Sequence, residues 1–219
     1  MIKIGLIGKT NTGKTTFFNS ASLSSADISN YPFTTKVPSV ANANAITLCV
    51  HKELGVNDNP RNSRCVDGWR FIPIEIVDLP GLIKGAWEGK GLGNQFLSIA
   101  AQSDALLHIV DVSGSIDASG RVAEPGTGDP IADIADIEEE LVMWYLKLFE
   151  GNRDKIARSI HSGVDTINSI TEIFRGIGVK EHHVKAAIIS NNLTDKEIDD
   201  FNSEITKDFV WSLRELSKP

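Results

Sequence analysis

The feature that most constrains this chain is the octapeptide GKTNTGKT at residues 8–15, which directly follows the short apolar run Ile2–Ile7. It fits a pattern in which a glycine, four variable residues and Gly-Lys-Thr follow a strand and open a helix. In such a loop, backbone N–H groups surround a phosphate group at a helix N-terminus that carries partial positive charge. The octapeptide therefore predicts a strand, a phosphate-binding loop and a helix, in that order.

The polar side chains of this loop have expected places around a nucleotide. We expect Lys14 to reach the β- and γ-phosphates and the Thr15 hydroxyl to bind Mg²⁺. The predicted nucleotide-binding residues are Gly8, Asn11, Thr12, Gly13, Lys14, Thr15 and Thr16. The loop thus predicts a site for a nucleoside triphosphate and Mg²⁺.

A second motif, VDLPGL at residues 77–82, follows an apolar strand. At such a strand end, Asp78 can hold Mg²⁺, usually through water, and the Gly81 N–H can meet a γ-phosphate. The segment GAWEGKGLGN at residues 85–94 is rich in glycine and can refold when the γ-phosphate is lost. The two segments together predict a region whose conformation changes when the nucleoside triphosphate is hydrolysed.

A third motif, NYPFTT at residues 30–35, offers a threonine that can close over Mg²⁺ and the γ-phosphate. We favour Thr35 over Thr34 as the threonine that binds Mg²⁺ and contacts the γ-phosphate. The residues expected to act on the transferred phosphate are Lys14, Thr35 and Gly81, and those expected to hold the metal are Thr15, Thr35 and Asp78.

Strand and helix signals alternate through residues 1–128. The predicted strands are Ile2–Ile7, Ala45–Val50, Phe71–Val77 and Ala105–Val112, with helices at about residues 14–24 and 91–102. The apolar runs are nearly continuous, as is typical of strands covered on both faces. This pattern predicts an α/β fold, a doubly wound and mostly parallel sheet of the P-loop NTPase type.

The pattern becomes helical after a segment rich in Gly, Ser, Asp and Pro at residues 114–130, which we interpret as a linker or an ordered surface loop. Apolar residues then recur at helical spacing from Ile134 to Leu148 and from Ile156 to Phe174. Two such stripes favour an antiparallel, coiled-coil-like helical hairpin; two ordinary helices packed on the core are the alternative. The predicted domains are residues 1–128, the first part of the NTPase domain; 129–208, a helical insertion; and 209–219, a return helix.

Composition and charge exclude some classes of protein. The 219 residues are 41% hydrophobic and 23% charged, as in soluble globular proteins. Residues 129–219 carry 11 Lys and Arg against 18 Asp and Glu, which accounts for the whole net charge of −7 and argues against an extended basic nucleic-acid surface there. No apolar run approaches the length of a membrane span, so we expect a cytoplasmic protein without a membrane partner.

The sequence contains two cysteines, Cys49 and Cys65. We interpret them as reduced thiols of a cytosolic protein. They have neither C-x-x-C spacing nor a local histidine cluster, so a metal site is not expected at them. His108, near the end of a predicted strand, is interpreted as a buried, hydrogen-bonded histidine rather than a catalytic base.

Taken together, the motifs GKTNTGKTTFFN, NYPFTT, DLPGL and GAWEGKGLGNQFL resemble those of the Obg-related GTPases. HKELGVNDNPRNSRC and the acidic helical segment after DPIADI narrow the resemblance to the YchF subfamily, and most closely to its archaeal members. The resemblance implies a nucleoside-triphosphatase domain interrupted by a helical insertion, and association with ribosomes or translation factors. Several YchF proteins prefer ATP to GTP, so the resemblance does not decide which of the two nucleotides this chain binds.

The chain departs from common GTPase patterns in three ways. Leu82 stands where a glutamine orients the attacking water in Ras-like enzymes, and the resemblance implies such a hydrophobic residue. In related GTPases an asparagine at the position of Asn11 helps bind K⁺ in place of an arginine finger, so K⁺ is a candidate cofactor. The family's base-recognition motif and C-terminal strands are not found before Pro219, so we expect an N-terminal fragment.

The leading prediction is a Mg²⁺-dependent GTPase or ATPase with a slow intrinsic rate, acting as a translation- or ribosome-associated molecular switch. The alternative is a non-hydrolysing protein-interaction module that acts through the helical hairpin. Leu82 and the missing base motif favour this alternative, whereas Lys14, Thr15 and Asp78 disfavour it. The oligomeric state is left open.

Overall fold

In the part of the chain that the structure describes, five strands form one mixed sheet. They are β1 (Ile2–Ile7), β2 (Ser39–Leu48), β3 (Arg64–Val66), β4 (Trp69–Asp78) and β5 (Ala105–His108). The strand order is β2-β4-β1-β5, and β3 also pairs with β4. Strand β1 runs parallel to β4 and β5, whereas β2 and β3 run antiparallel to β4. The predicted α/β fold with parallel strands at its centre is confirmed.

The computed structural model describes residues 1–22, 38–82, 84–88, 93–194 and 198–218. These residues group into two compact units. The first unit spans residues 1–81 and 103–130, and the second spans residues 82–102 and 131–219. The domain limits given above from the sequence stay predictions.

The helices are α1 (Lys14–Ser22), α2 (His51–Leu54), α3 (Gly93–Ala101), α4 (Pro130–Gly151), α5 (Arg153–His161), α6 (Thr166–Phe174), α7 (Glu181–Ser190) and α8 (Ser203–Leu216). Single turns of 3-10 helix lie at Arg175–Ile177 and Ile198–Asp200. No helix of the described part of the chain has both the length and the hydropathy needed to cross a bilayer.

Strand β4 organises the first unit because it pairs along both edges. Its whole length pairs with β2, while on the other edge its start pairs with β3 and its second half with β1. Apolar residues from the strands and α1 bury one cluster, made of Leu6, Phe18, Ala43, Ile74 and Ile76. This cluster packs α1 against the second half of β4, next to Asp78.

The second unit is a helical bundle with an aromatic core. Tyr145 stacks on Phe174 at a centroid distance of 5.5 Å, and Phe149 lies 5.7 Å from Phe209. All four of these side chains are fully buried. Buried aromatic pairs of this kind contribute strongly to the stability of a core.

The predicted helical hairpin is wrong in its second arm. The apolar stripe from Ile156 to Phe174 is divided between α5 and α6, because the chain leaves the helix at Ser162 and starts a new one after Asp165. The Asp165 carboxylate caps the new helix by accepting a hydrogen bond from the Asn168 N–H at 3.0 Å. Helical spacing continues across this break, so periodicity alone did not reveal it.

The segment at residues 114–130 is an ordered surface loop rather than a linker. Gly128 N–H donates to the Gly114 carbonyl and Ala123 N–H to the Ser115 carbonyl, each at 2.8 Å. A short antiparallel bridge joins Ile116 and Val122. These hydrogen bonds hold the loop against itself within the first unit.

Candidate phosphate-binding site

The loop between β1 and α1 has a backbone that few sequences can adopt. Asn11 has a φ of 65° and Gly13 a φ of 94°, both in the left-handed region that asparagine and glycine tolerate best. Phe17 N–H donates to the Gly13 carbonyl at 2.9 Å, so α1 starts at Lys14. The amides of the first helical turn, which includes the exposed Thr16, precede this first helical hydrogen bond, and such amides bind anions.

The Lys14 side chain is buried and folds back across the loop. Its ammonium group donates to the Lys9 carbonyl at 2.6 Å. Desolvation lowers the pKa of Lys14 to about 8, and the nearby Asp78 carboxylate opposes part of that shift. A buried cation held by a single carbonyl is available for exchange onto a phosphate group.

Thr15 and Asp78 meet across the two motifs. The Thr15 hydroxyl donates to Asp78 Oδ2 at 2.6 Å, which leaves the oxygen of that hydroxyl able to coordinate a cation. Burial raises the pKa of Asp78, while the Thr15 hydrogen bond and the Lys14 charge lower it. The other carboxylate oxygen, Oδ1, is buried and has no hydrogen-bond partner among the described residues. This oxygen and the Thr15 hydroxyl form a donor set that suits a partly hydrated Mg²⁺.

Gly81 brings the second motif against the phosphate loop. A Cβ built at Gly81 would lie 2.5 Å from the Cα of Thr10, closer than real side chains come. The two backbones therefore approach each other in a way that glycine alone permits. The Thr10 hydroxyl is buried without a hydrogen-bond partner in the described part of the chain, and no sequence motif had assigned it a role.

The remaining residues that the sequence predicted for the site do not contact Lys14, Thr15 or Asp78 through a hydrogen bond described here, or lie outside the described residues. Asn11 Nδ2 donates to the Gly120 carbonyl at 2.8 Å, which ties the phosphate loop to the loop at residues 114–130. Thr12 donates to the Lys9 carbonyl at 3.0 Å. Thr34 and Thr35 lie outside the described residues. Leu82 is buried, and His108 is half-buried rather than buried.

Within the second unit, the turn that follows Leu82 is bound to α4 by a residue that sequence analysis missed. Glu140 is buried, and its carboxylate accepts hydrogen bonds from the N–H groups of Gly85 and Trp87, the latter at 2.9 Å. Lys147 donates to the Trp87 carbonyl, also at 2.9 Å. Residues 89–92 of the predicted refolding segment lie outside the described residues.

The two cysteines are free thiols, as expected, and they lie in a cluster that their spacing in the sequence did not indicate. Cys49, His51, Asp58 and Cys65 offer ligand-type atoms that all lie within 4.8 Å of one another. The prediction that no metal site lies at the cysteines was drawn from sequence spacing alone, and it stays a prediction. The C-x-H spacing of Cys49 and His51 was the available signal, but Asp58 and Cys65 join them only through folding.

A strand, a glycine-rich loop with a buried lysine, a helix, and an aspartate ending the neighbouring parallel strand define a P-loop nucleotide-binding domain. A family model described as 50S ribosome-binding GTPase matches residues 3–143. The chain belongs to this family, and the predicted membership of the broader Obg-like group of GTPases is thereby confirmed.

Known proteins similar to this chain agree with that assignment. An uncharacterized GTP-binding protein of Methanocaldococcus jannaschii is 39% identical over 219 residues, covering 100% of this chain and 54% of that protein. The GTPase Obg of Fervidobacterium nodosum is 33% identical over 197 residues, 81% of this chain and 37% of that protein. The crystal structure of a GTP-binding protein from Pyrococcus horikoshii superposes with a TM-score of 0.77 at 29% identity, covering 100% of this chain and 54% of that one. The chain thus spans about half the length of such relatives, or less.

Proposed function

We propose that this chain binds GTP together with Mg²⁺, hydrolyses the GTP to GDP and phosphate, and acts as a molecular switch on the ribosome. The observation that carries the proposal is the convergence of Lys14, Thr15 and Asp78, two of them buried, at the carboxyl ends of two parallel strands. The family description and the names of the relatives support GTP and the ribosome as partners.

Each residue of the site has a role in this proposal. When nucleotide binds, Lys14 exchanges its hydrogen bond to the Lys9 carbonyl for bonds to the β- and γ-phosphate oxygens. These bonds are stronger, because the phosphate oxygens carry negative charge and the backbone carbonyl does not. Thr15 and Asp78 hold Mg²⁺, which neutralises charge on the phosphate oxygens when it is bound. Gly8, Asn11, Thr12, Gly13 and Thr16 belong to the loop and helix start whose backbone surrounds the phosphates.

The hydrolysis step is attack of water on the γ-phosphate, and we propose a slow intrinsic rate. The residue after Gly81 is Leu82, which is apolar and buried and so does not orient water. In this proposal the Gly81 N–H contacts the γ-phosphate, and Thr35 is a further contact to Mg²⁺ and the γ-phosphate. We further propose K⁺, bound near Asn11, as the charge that replaces an arginine finger.

The structure around Glu140 supports a switch. Loss of the γ-phosphate releases Gly81, and the chain continues within four residues to Gly85, whose N–H is bound by Glu140 of α4. A movement of this turn therefore either breaks two hydrogen bonds to a buried carboxylate or moves α4 with it. Breaking bonds to a buried charge is costly, so movement of α4 is favoured.

Two finer assignments belong to this proposal. The resemblance of HKELGVNDNPRNSRC at residues 51–65 supports the YchF subfamily. Because several YchF proteins prefer ATP, ATP is the competing substrate. The helical residues of the second unit are the proposed surface for ribosomes or translation factors.

Binding of fluorescent GTP and ATP analogues in the presence of Mg²⁺, together with phosphate release, tests this function. We expect binding and release that are lost in Lys14→Ala and retained in Lys155→Ala, which changes an exposed lysine of α5. Lys14-dependent binding without phosphate release supports the interaction module instead. Sedimentation with ribosomes tests the partner, and equal sedimentation with GDP and with a non-hydrolysable GTP analogue contradicts the switch.

A further inference from the structure

We propose that Cys49, His51, Asp58 and Cys65 form a Zn²⁺ site, separate from the nucleotide site. The four residues come from different places in the chain: the residue after β2, the start of α2, the loop that follows α2, and the middle of β3. Nothing in the phosphate-binding function uses them. Their ligand-type atoms nevertheless lie within 4.8 Å of one another.

The spacing of these atoms is close to that of a tetrahedral zinc site. Metal–ligand bonds of 2.0–2.3 Å place neighbouring ligand atoms about 3.3–3.8 Å apart. Cys65 Sγ lies 3.7 Å from His51 Nδ1, and Cys49 Sγ lies 3.6 Å from Asp58 Oδ2. Two of the ligand pairs already have the required separation, so small side-chain rotations complete the site.

The backbone holds these residues in place without the metal. Cys65 pairs with Arg70 in the register between β3 and β4, and Cys49 N–H donates to the carbonyl of Gly68, in the turn between those strands, at 2.8 Å. Cys49 is buried, while the other three ligands are half-buried. The site is therefore partly built into the sheet and partly open to an entering ion.

The donor set selects the kind of metal. Thiolate sulfur and imidazole nitrogen favour zinc and similar transition metals over Mg²⁺ and Ca²⁺, which prefer oxygen. Two cysteines, a histidine and an aspartate supply the four ligands that zinc takes in a closed structural site. The Mg²⁺ of the nucleotide site and the metal of this site are therefore chemically distinct.

Arg70 fits the site as an outer partner. Its guanidinium donates to Cys49 Sγ at 3.0 Å, to Asp58 Oδ1, and to Ser63 Oγ at 2.9 Å. Two thiolates and one carboxylate carry a charge of −3, which Zn²⁺ and the arginine balance to zero. Outer hydrogen bonds of this kind orient metal ligands, and losing them typically weakens metal binding about 10–100-fold.

The proposed role of the metal is to stabilise the folded conformation of the connection between β2 and β3. Apart from α2 this connection has no helix or strand, and its Asp58 reaches Arg70 near the start of β4. Closing the loop from Cys49 to Cys65 restricts the unfolded chain and ties α2 to the sheet.

Metal titration of the 219-residue chain, produced without a histidine tag and stripped with a chelator under reducing conditions, tests the proposal. We expect one Co²⁺ to bind per chain, with a thiolate-to-cobalt charge-transfer band and the visible bands of a tetrahedral site, and Zn²⁺ to displace it. Binding below stoichiometry, an octahedral spectrum, or a Cys49–Cys65 disulfide that survives the reductant overturns it.

Variants assign the site to these residues. Cys65→Ser is expected to remove about half of the charge-transfer intensity, because Cys49 still supplies one thiolate. His51→Ala removes a direct ligand and is expected to weaken Zn²⁺ binding by at least the roughly 10–100-fold that loss of an outer partner costs. His161→Ala, which removes an exposed histidine of α5, is the matched control and is expected to bind normally. Circular dichroism confirms that each variant is folded. A folded Cys65→Ser chain with an unchanged cobalt spectrum overturns the assignment.

Discussion

The two ends of β4 hold two sites of different construction. At its carboxyl end, Asp78 meets Thr15 and a buried lysine; at its start, Arg70 meets Cys49 and Asp58. The eight residue steps from Arg70 to Asp78 span about 27 Å in an extended strand. The first site relies on a contiguous loop whose backbone is shaped by glycine and asparagine, whereas the second relies on side chains that converge from four segments.

This difference indicates how each site responds to change. A backbone cradle tolerates the loss of single side chains except where a charge is needed, as at Lys14. A side-chain cluster loses its function with any one ligand. If the two sites are independent, variants at one end of β4 leave the other end intact, and the experiments below test that independence.

The largest effect is expected from Lys14→Ala. Removing one partner of a buried charge-assisted contact typically costs about 2–5 kcal/mol, so GTP affinity falls by about 30-fold or more. Isothermal titration with GTP and with Zn²⁺ measures the affinity of each site in the variant. Zinc affinity is expected to stay unchanged. A folded variant that loses affinity for both ligands contradicts the independence of the two sites.

Zinc itself is expected to change stability. With free Zn²⁺ at a hundred times its dissociation constant, the free energy of unfolding rises by about 2.7 kcal/mol. Urea denaturation with and without Zn²⁺ measures this gain, which Cys65→Ser removes and His161→Ala retains. GTP affinity is expected to be the same with and without zinc. An unfolding midpoint that zinc does not move contradicts the prediction.

Asp78→Asn is expected to weaken Mg²⁺ at the nucleotide site. The amide keeps an oxygen that accepts the Thr15 hydrogen bond but loses the negative charge. Since Asp78 is proposed to hold the ion through water, the Mg²⁺ concentration needed for half-maximal GTP hydrolysis rises about 10–100-fold. The Asp58→Asn variant, which changes the cluster near the start of β4, is the matched control. A similar rise in the Mg²⁺ concentration that this control needs shows that the two sites are coupled.

The two sites are expected to respond to pH in opposite directions. The pKa of Lys14 in the nucleotide-free protein is about 8, so the lysine is protonated below that pH and GTP affinity is constant there. Above that pH a proton must be taken up on binding, and affinity falls by up to about tenfold, or 1.4 kcal/mol, for each pH unit. Zinc affinity instead rises with pH because cysteine ligands must lose protons. A GTP affinity that stays flat to about pH 9.5 contradicts the lysine prediction.

The smallest effect is expected from the monovalent ion. Replacing K⁺ by Na⁺ at constant ionic strength is expected to slow hydrolysis by less than the roughly 100-fold that loss of a dedicated stabilising group costs, because Na⁺ carries the same charge but fits a potassium site less well. Phosphate release in the two salts, in the wild type and in Asn11→Ala, measures this. If Asn11→Ala retains the full difference between the salts, the potassium does not depend on Asn11.

Sequence analysis was most successful where structure is local. The phosphate loop, α1 and the strand that ends at Asp78 were predicted within a few residues, since their signals are glycine positions and apolar runs of neighbouring residues. Boundaries were less well predicted: β2 begins at Ser39 rather than Ala45, and β5 ends at His108 rather than Val112. Strand ends depend on the partner strand, which the sequence does not show.

The class of fold follows from the sequence, because the phosphate loop and the apolar strands are encoded in short contiguous segments. Folding of distant segments, in contrast, brings Glu140 to the turn at Gly85. Only the pairing of β3 with β4 brings Cys65 to Cys49, His51 and Asp58. Contacts between segments far apart in the chain depend on packing and register, and no local pattern of residues encodes them.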